Sequence, residues 1–435
     1  VAEPTRRVYL HVGTPKSGTT YLQEVLWRNR EPLAVAGVLY PGDRPDRQFL
    51  ATLDLLGLTF HGHSDPDVPG SWDRLAEQVR AWPGTSVVSH EMLAPADERT
   101  AARALASFGD AEVHLVCTAR DLARQLPAVW QEDVKNRGQL TFAEFSRSLR
   151  GLDEDTDPYH ARTFWGYQDV PAVLRTWSAG LPPDRVHVLP LPRGAAAGAL
   201  WSRFARVLGV DPALGEDEDE VRNPSTGVVE TTLLRLLNSA GVADDLPWPA
   251  YESLVKTFLA VEVLASRPGS VPLTLPAGDR DWVRRWSEQA VAALRRAGYD
   301  VVGDLADLLP ADGEERRETH PDGADPAELA DAAVYALAAT LRLVERERAR
   351  FAEEQARSAE EHERVVEELR RAGLREVLAR RHGHAPRVRW MLDRYRGARS
   401  RLRALTGARR SAGGHQPGRP AEGGGDHEPL QHRHG

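Results

Sequence analysis

Apolar and polar positions follow two rhythms up to about residue 310. Short, nearly unbroken apolar runs at Val8–Val12, Thr85–Ser89, Val113–Thr118 and Arg185–Leu189 have strand length and suit strands buried on both faces. Val35–Tyr40, stopped by Pro41-Gly42, reads as a further short strand. Between these runs the apolar spacing becomes helical: from Thr19 onward, Ser71–Ala81, Asp97–Phe108, Asp121–Gln139, Val170–Ala179 and Leu200–Leu208. Pro127 must lie in the first turn of its helix or kink it. Pro41–Pro69 reads as polar loop with one short helix, and Asp211–Glu220 as solvated acidic loop. The alternation predicts an α/β fold, a mainly parallel sheet flanked by helices on both faces.

Three more helical stretches, Val228–Asn238, Tyr251–Ser266 and Asp281–Ala297, complete a domain spanning residues 1–310. A Pro/Asp/Glu/Gly linker at 311–324 follows. Asp325 then offers an N-cap and Pro326 a first helical residue, opening a long helix over 325–371. Leu337, Leu341, Val344, Phe351, Val365 and Leu369 share a seam on it, interrupted by Arg348, Gln355 and His362. A coiled-coil homodimer and a single docked or solvated helix both fit that pattern. Residues 372–410 are arginine-rich, with Met391, Tyr395, Ala398, Leu402 and Leu405 at helical spacing. This segment fits either a basic amphipathic helix touching an anionic membrane surface or an acidic partner, or a solvated charged helix. Residues 411–435, rich in Gly, Pro and His, read as a disordered tail.

Composition narrows the choice. With 41% hydrophobic residues and 11 tryptophans among 435, there is material for a large core. A net charge of −8 argues against nucleic acid as a partner. Cys117 is the only cysteine, which excludes an internal disulfide and a cysteine metal site and suits a small buried hydrophobe. No apolar run approaches membrane-spanning length and no signal-peptide pattern opens the chain, so a cytoplasmic location is expected. The only lysines are Lys16, Lys135 and Lys256, against an Arg/Ala-rich background that suggests a high-GC bacterial genome.

One of those lysines lies in the stretch that carries the chemistry. A tight turn, Gly13–Gly18, joins the strand Val8–Val12 to a helix starting at Thr19. Backbone N–H groups at a helix N-terminus lack intrahelical partners and favour an anion. Lys16 adds an ammonium, and Ser17, Thr19 and Thr20 add hydroxyls. The glycine spacing is that of the G-x-x-x-x-G-K-[ST] phosphate loop, but the lysine has moved forward and Thr19-Thr20 follow the second glycine.

Pro15-Lys16-Ser17-Gly18-Thr19-Thr20, directly after a first strand, is similar to the 5′-phosphosulfate loop of the sulfotransferases that use 3′-phosphoadenosine 5′-phosphosulfate (PAPS). The resemblance implies a P-loop NTPase-like sulfotransferase fold with a C-terminal helical extension, PAPS as donor and no metal. It implies that Lys16 neutralises the leaving phosphate, that loop amides with Thr19 and Thr20 hold the 5′-phosphate, and that Ser17 orients the lysine or an oxygen. Arg120, at a strand end, resembles the family's 3′-phosphate arginine. The family serine eight residues later is Ala128 here, which leaves Gln125, Trp130 and Gln131 as possible substitutes.

Tyr21 occupies the slot of an adenine-stacking ring and equally suits a core tyrosine. Arg222-Asn223-Pro224-Ser225-Thr226 resembles a late Asn-x-Ser element, so Asn223 and Ser225 join the expected donor site. Ser89-His90-Glu91 resembles the base-bearing strand end. His90, titrating nearest neutral pH, is the first choice of base, with Glu91 as the alternative base or its orienting partner. Leu152–Gly166 is expected to cover the site. Its aromatic neighbourhood (Tyr159, His160, Phe164, Trp165, Tyr167) suits a sugar, a lipid-linked glycan or a phenolic acceptor alike. A P-loop kinase or NTPase, and a silent nucleotide-fold scaffold acting through the C-terminal helices, are the competing readings.

Overall fold

The computed structural model describes residues 6–63, 65–152, 158–194, 198–215, 225–311, 319–382, 390 and 394. Six strands, β1 (Arg7–His11), β2 (Val38–Leu39), β3 (Thr85–Ser89), β4 (Glu112–Ala119), β5 (Val186–Pro190) and β6 (Asp300–Val301), form one sheet in the order β2-β3-β1-β4-β5-β6. Every pairing is parallel. The central strand β1 pairs His11 with Ser89 on one side and with Val116 on the other, so β1, β3 and β4 end along one edge.

Both faces of the sheet are buried, which explains the unbroken apolar runs. Val8 and Leu10 pack on one side with Val88, Leu115, Trp72 and Trp177. Tyr9 packs on the other with Leu22, Leu26, Trp201 and Phe204. Cys117 is fully buried, and burial pushes its thiol up to about 12, so it acts as a hydrophobe. The helix after β1, Thr19–Arg28, packs on the second face, and the helix after β3, Glu98–Ala106, on the first. Connections that leave neighbouring strands toward opposite faces open a crevice at the strand ends, where ligands of open α/β sheets bind. Here that crevice lies between β1 and β3.

A third core is helical. Leu122–Lys135, Phe142–Leu149, Tyr159–Gln168, Val228–Leu237, Glu252–Leu264 and Ala277–Ala297 enclose Trp130, Phe142, Phe145, Phe164, Tyr251 and Val283. Phe142–Leu149 is held by a capping box between Thr141 and Glu144. The helix expected over Tyr251–Ser266 is present but is a π-helix over its 13 residues Glu252–Leu264, ending with Ala265 N–H on the Ala260 carbonyl.

Four other details differ from the sequence reading. Arg30–Val35 is helical, so the second strand shrinks to Val38–Leu39. A short strand, β6, adds to the sheet edge. The helix expected over Asp121–Gln139 runs Leu122–Lys135 with Asp121 as N-cap, which puts Pro127 beyond the first turn, the first of its two expected placements. The compact first unit extends beyond residue 310 to Leu341, with Arg342 opening a second. Asp322, at the end of the expected linker, accepts from Phe142 N–H (2.8 Å) and Ala143 N–H (2.9 Å), and Ala336 is buried in the helical core.

Asp325 does cap the long helix, which runs Pro326–His382, accepting from Ala327 N–H at 2.8 Å. Leu337, Leu341, Val344 and Phe351 on its seam are exposed. The Leu369 side chain, nearly all of the basic segment 372–410 beyond the helical backbone to His382, and the tail 411–435 lie outside the described residues. No helix among the described residues is long and apolar enough to cross a membrane.

Candidate functional site

The Gly13–Gly18 loop is fixed by close packing at the edge formed by β1, β3 and β4. A Cβ on Gly13 would fall 2.2 Å from Thr118 Oγ1 and 2.5 Å from His11 Nε2. Gly18 has φ +92°, and a Cβ there would fall 2.4 Å from Leu200 Cδ2. Thus only glycine fits either position. Thr14 N–H donates to the Thr118 carbonyl (3.2 Å). The Ser17 hydroxyl is fully buried and turned into the sheet, 2.6 Å from the Thr14 carbonyl and 2.7 Å from Thr118 Oγ1. It therefore anchors the loop and does not orient Lys16.

His11 completes this hub, with Nδ1 2.8 Å from Ser89 Oγ and Nε2 3.1 Å from Thr118 Oγ1. Burial holds its pKa down at about 4, the Glu91 charge opposing only in part, so the ring is neutral. Among the described residues no side chain caps the Thr19–Arg28 helix, and no acid lies in its first turn, so its N-terminal amides face the loop without a carboxylate from that turn. Thr20 is exposed there and Thr19 buried. Pro15 is gripped from behind: its carbonyl accepts from the Gln125 amide and, at 3.3 Å, from Gln168.

Lys16 has φ +66° and leads away from the sheet to Glu132, with Nζ 2.6 Å from Oε2. Arg120 stands behind the loop, its Nη1 3.4 Å from the Lys16 carbonyl. Its Nε is buried and has no hydrogen-bond partner among the described residues. Burial lowers its pKa to about 10, Arg124 adding to the effect and Asp121 opposing it. Arg120 lines a cleft of about 900 Å³ with Arg124, Arg193, Arg280 and Arg284. The fully buried Asp121 pairs with Arg124 and, at 3.3 Å, with Arg193. Arg193 Nε is a second buried donor without a partner among the described residues.

None of the three residues considered in place of the serine at Ala128 has a free donor toward this cleft. Trp130 gives its indole N–H to the Leu140 carbonyl (2.9 Å). Gln125 spends its amide on Pro15 and Gln168, and Gln131 on Thr226 and Thr231. Ser225 donates to Gln131 Oε1 (3.0 Å), which ties that turn to the Leu122–Lys135 helix. Asn223 lies outside the described residues. Tyr21 is half buried against the core that includes Leu200, its hydroxyl beside Gly198.

His90 and Glu91 sit at the end of β3 beside β1, where His90 N–H donates to the His11 carbonyl (3.2 Å). His90 Nδ1 accepts the Met92 N–H (3.2 Å), which leaves Nε2 as the protonated nitrogen of the neutral ring. Burial lowers the His90 pKa, with Glu91 opposing. Burial alone would raise the Glu91 pKa, but His90, its own backbone amide and Gln23 outweigh it and hold the carboxyl below its ordinary value. Gln23 Nε2 lies 2.9 Å from Glu91 Oε2. The pair is thus a neutral imidazole beside a carboxylate.

The expected aromatic cover behaves differently from its sequence reading. Residues 153–157 are outside the described set, and Phe164 and Trp165 belong to the helical core. Tyr167 packs against the sheet core within electrostatic reach of Glu91: burial first, then that carboxylate, pushes its hydroxyl up to about 12. A separate aromatic wall leads away from His90, unmarked by any sequence motif. Phe49 stands 5.3 Å from His90, Phe60 5.3 Å from Phe49 and Trp248 5.2 Å from Phe60, while His61 stacks on Trp248 at 3.8 Å.

No family model and no curated protein matches the chain. Among solved structures it is similar to a sulfotransferase from Alicyclobacillus acidocaldarius, at 18% identity and a TM-score of 0.33, over 59% of this chain and 96% of that one.

Proposed function

We propose that the protein is a sulfotransferase that moves a sulfuryl group from PAPS to a hydroxyl or amine of a carbohydrate, a lipid-linked glycan or a small natural product. The observation that carries this reading is the joint placement of Lys16 and Arg120. One lies in a sterically fixed loop before a helix that no described side chain caps; the other is partly buried against the back of that loop, its buried Nε without a partner among the described residues. A cleft-lining guanidinium with a buried, unfilled Nε suits a phosphate, which accepts strong charge-assisted bonds. Asp121 sits where a strand-end carboxylate could hold magnesium, but it is fully buried and neutralised by Arg124 and Arg193. That favours an arginine-gripped phosphate over a metal-bridged one.

In this reading the loop amides and Thr20 hold the 5′-phosphate, and Lys16 neutralises the charge growing on it as the S–O bond breaks. Arg120, helped by Arg124 and Arg193 in place of the absent serine, holds the 3′-phosphate. The donor supplies the transferable sulfuryl group, and the chain positions and neutralises. Proton inventory reverses the order of the base candidates: the Nε2–H of neutral His90 donates toward the acceptor oxygen, and the carboxylate of Glu91 takes its proton. The rings of Phe49, Phe60 and Trp248 offer faces to a sugar or aromatic acceptor.

The reaction is tested by incubating labelled PAPS with pooled hydroxylated acceptors. Label is expected to move to acceptor with wild type and not with Lys16→Ala. Donor binding without transfer to any pool would support a silent scaffold instead.

A further inference from the structure

Of the only three lysines in a chain with 56 basic residues, two pair with one carboxylate and the third feels its charge. Glu132 Oε2 is 2.6 Å from Lys16 Nζ, and Oε1 is 3.2 Å from Lys256 Nζ. Asn136 Nδ2 also donates to Oε1 (3.3 Å), and Lys256 donates to Asn136 Oδ1 (2.8 Å). Lys135 is only 7% exposed and makes no ion pair among the described residues. Burial pushes its pKa down, and the charges it feels are Glu132 in its favour and Lys16 and Lys256 against it. Among the described residues the Glu132 carboxylate is thus opposed by two ion-paired ammonium groups, with Lys135 within electrostatic reach. Burial would raise the Glu132 pKa, yet Lys16 and Lys256, with Lys135 behind them, hold it at about 2.

Lys256 is delivered by the π-helix Glu252–Leu264, a rare geometry that tends to occur at functional sites. Its ammonium also lies 5.9 Å from the centre of the Trp248 ring, on the aromatic wall that leads from His90. Lysine differs from arginine in being a point charge on a flexible stem that can be re-aimed between oxyanions.

We infer that Glu132 is an internal anion that holds Lys16 and Lys256 together until a ligand oxyanion displaces it, and that Lys256 is a second lysine contact to that oxyanion. The inference rests on the preceding reading only in naming the oxyanion as part of a phosphosulfate. Glu132 acts through the lysines and is a positioning residue. Its carboxylate competes with the ligand for them, so removing its charge strengthens ligand binding, an effect that loss of a merely structural ion pair does not produce.

The test is calorimetric titration of wild type, Glu132→Gln and Lys256→Gln with inorganic pyrophosphate and with 3′-phosphoadenosine 5′-phosphate. Glu132→Gln is expected to bind both about tenfold more tightly, because a charge-assisted competitor becomes a neutral one. Lys256→Gln is expected to bind both about tenfold more weakly. Unchanged or weaker binding by a folded Glu132→Gln protein, checked by near-UV dichroism, overturns the inference. If that variant does not fold, Lys256→Gln decides: weakened binding supports the second lysine contact, and unchanged binding overturns it. Tighter pyrophosphate binding by Glu132→Gln, with no binding of the adenosine bisphosphate to any variant, upholds the internal anion and rejects the donor assignment.

Discussion

Replacing Gly13 by alanine asks whether the loop is as tightly built as its contacts indicate. The added Cβ would lie 2.2 Å from Thr118 Oγ1, 2.5 Å from His11 Nε2 and 3.1 Å from Thr19 Cγ2. Relief requires Thr118 and His11 to retreat, and those groups carry the buried bonds Ser17–Thr118 (2.7 Å) and His11–Thr118 (3.1 Å). Losing two buried hydrogen bonds costs about 2 kcal/mol. Backbone and side-chain displacement in a packed core adds about 1–3 kcal/mol. A loss of about 4 kcal/mol is therefore expected. Gly278 is the control, since a Cβ there meets nothing within 4 Å and its φ is not positive. Gly278→Ala, near the start of Ala277–Ala297, should be neutral or gain about 0.5 kcal/mol. Urea unfolding followed by tryptophan fluorescence separates the two. Equal midpoints for both variants would refute the claim that the loop is sterically fixed.

Three other expectations follow from the same geometry. Ser17→Ala should lower stability by about 1–3 kcal/mol in urea melts, because its hydroxyl serves Thr14 and Thr118 inside the fold; a pure loss of donor affinity at unchanged stability would count against this. Once transfer is measurable, Glu91→Gln should lower kcat by about 10²–10⁴ and His90→Gln by less, since Glu91 is the proton acceptor and His90 a donor; the opposite ranking returns the role to His90. His11, with its pKa lowered by burial from 6.5 to about 4, is neutral in the fold and protonates more readily when unfolded. His11 should contribute a fall in stability of about 3 kcal/mol as pH drops from 6.5 toward 4, and His11→Gln should remove that share of the pH dependence in urea melts.

The strand–loop–helix around Gly13–Gly18 was legible because each part is local: a strand-length apolar run, two glycines and a helix of suitable residues. The parallel sheet followed from the alternation of short runs with helical stretches. Other features depend on distant partners. Whether Glu252–Leu264 winds as an α- or a π-helix is decided by packing on the helical core, which apolar spacing does not encode. The partnership of Glu132 with Lys16 joins positions 116 residues apart, and only the scarcity of lysine hinted at it. The Phe142–Leu149 helix did carry a local signal, the Thr141-x-x-Glu144 box, that the hydrophobic pattern alone passes over. Ser17 reads as a ligand hydroxyl in any phosphate loop, and its inward turn depends on Thr118, on another strand. Arg120 was placed correctly at its strand end, but Arg193 and Arg124 beside it come from segments without a motif.

Binding of 3′-phosphoadenosine 5′-phosphate, compared with Mg·ATP by titration calorimetry, reaches the central claim most directly. Magnesium-independent binding of the bisphosphate is expected, weakened about tenfold to a hundredfold in Lys16→Ala and in Arg120→Ala as each removes a charge-assisted contact. Binding of Mg·ATP alone, or bisphosphate binding indifferent to both substitutions, would contradict it.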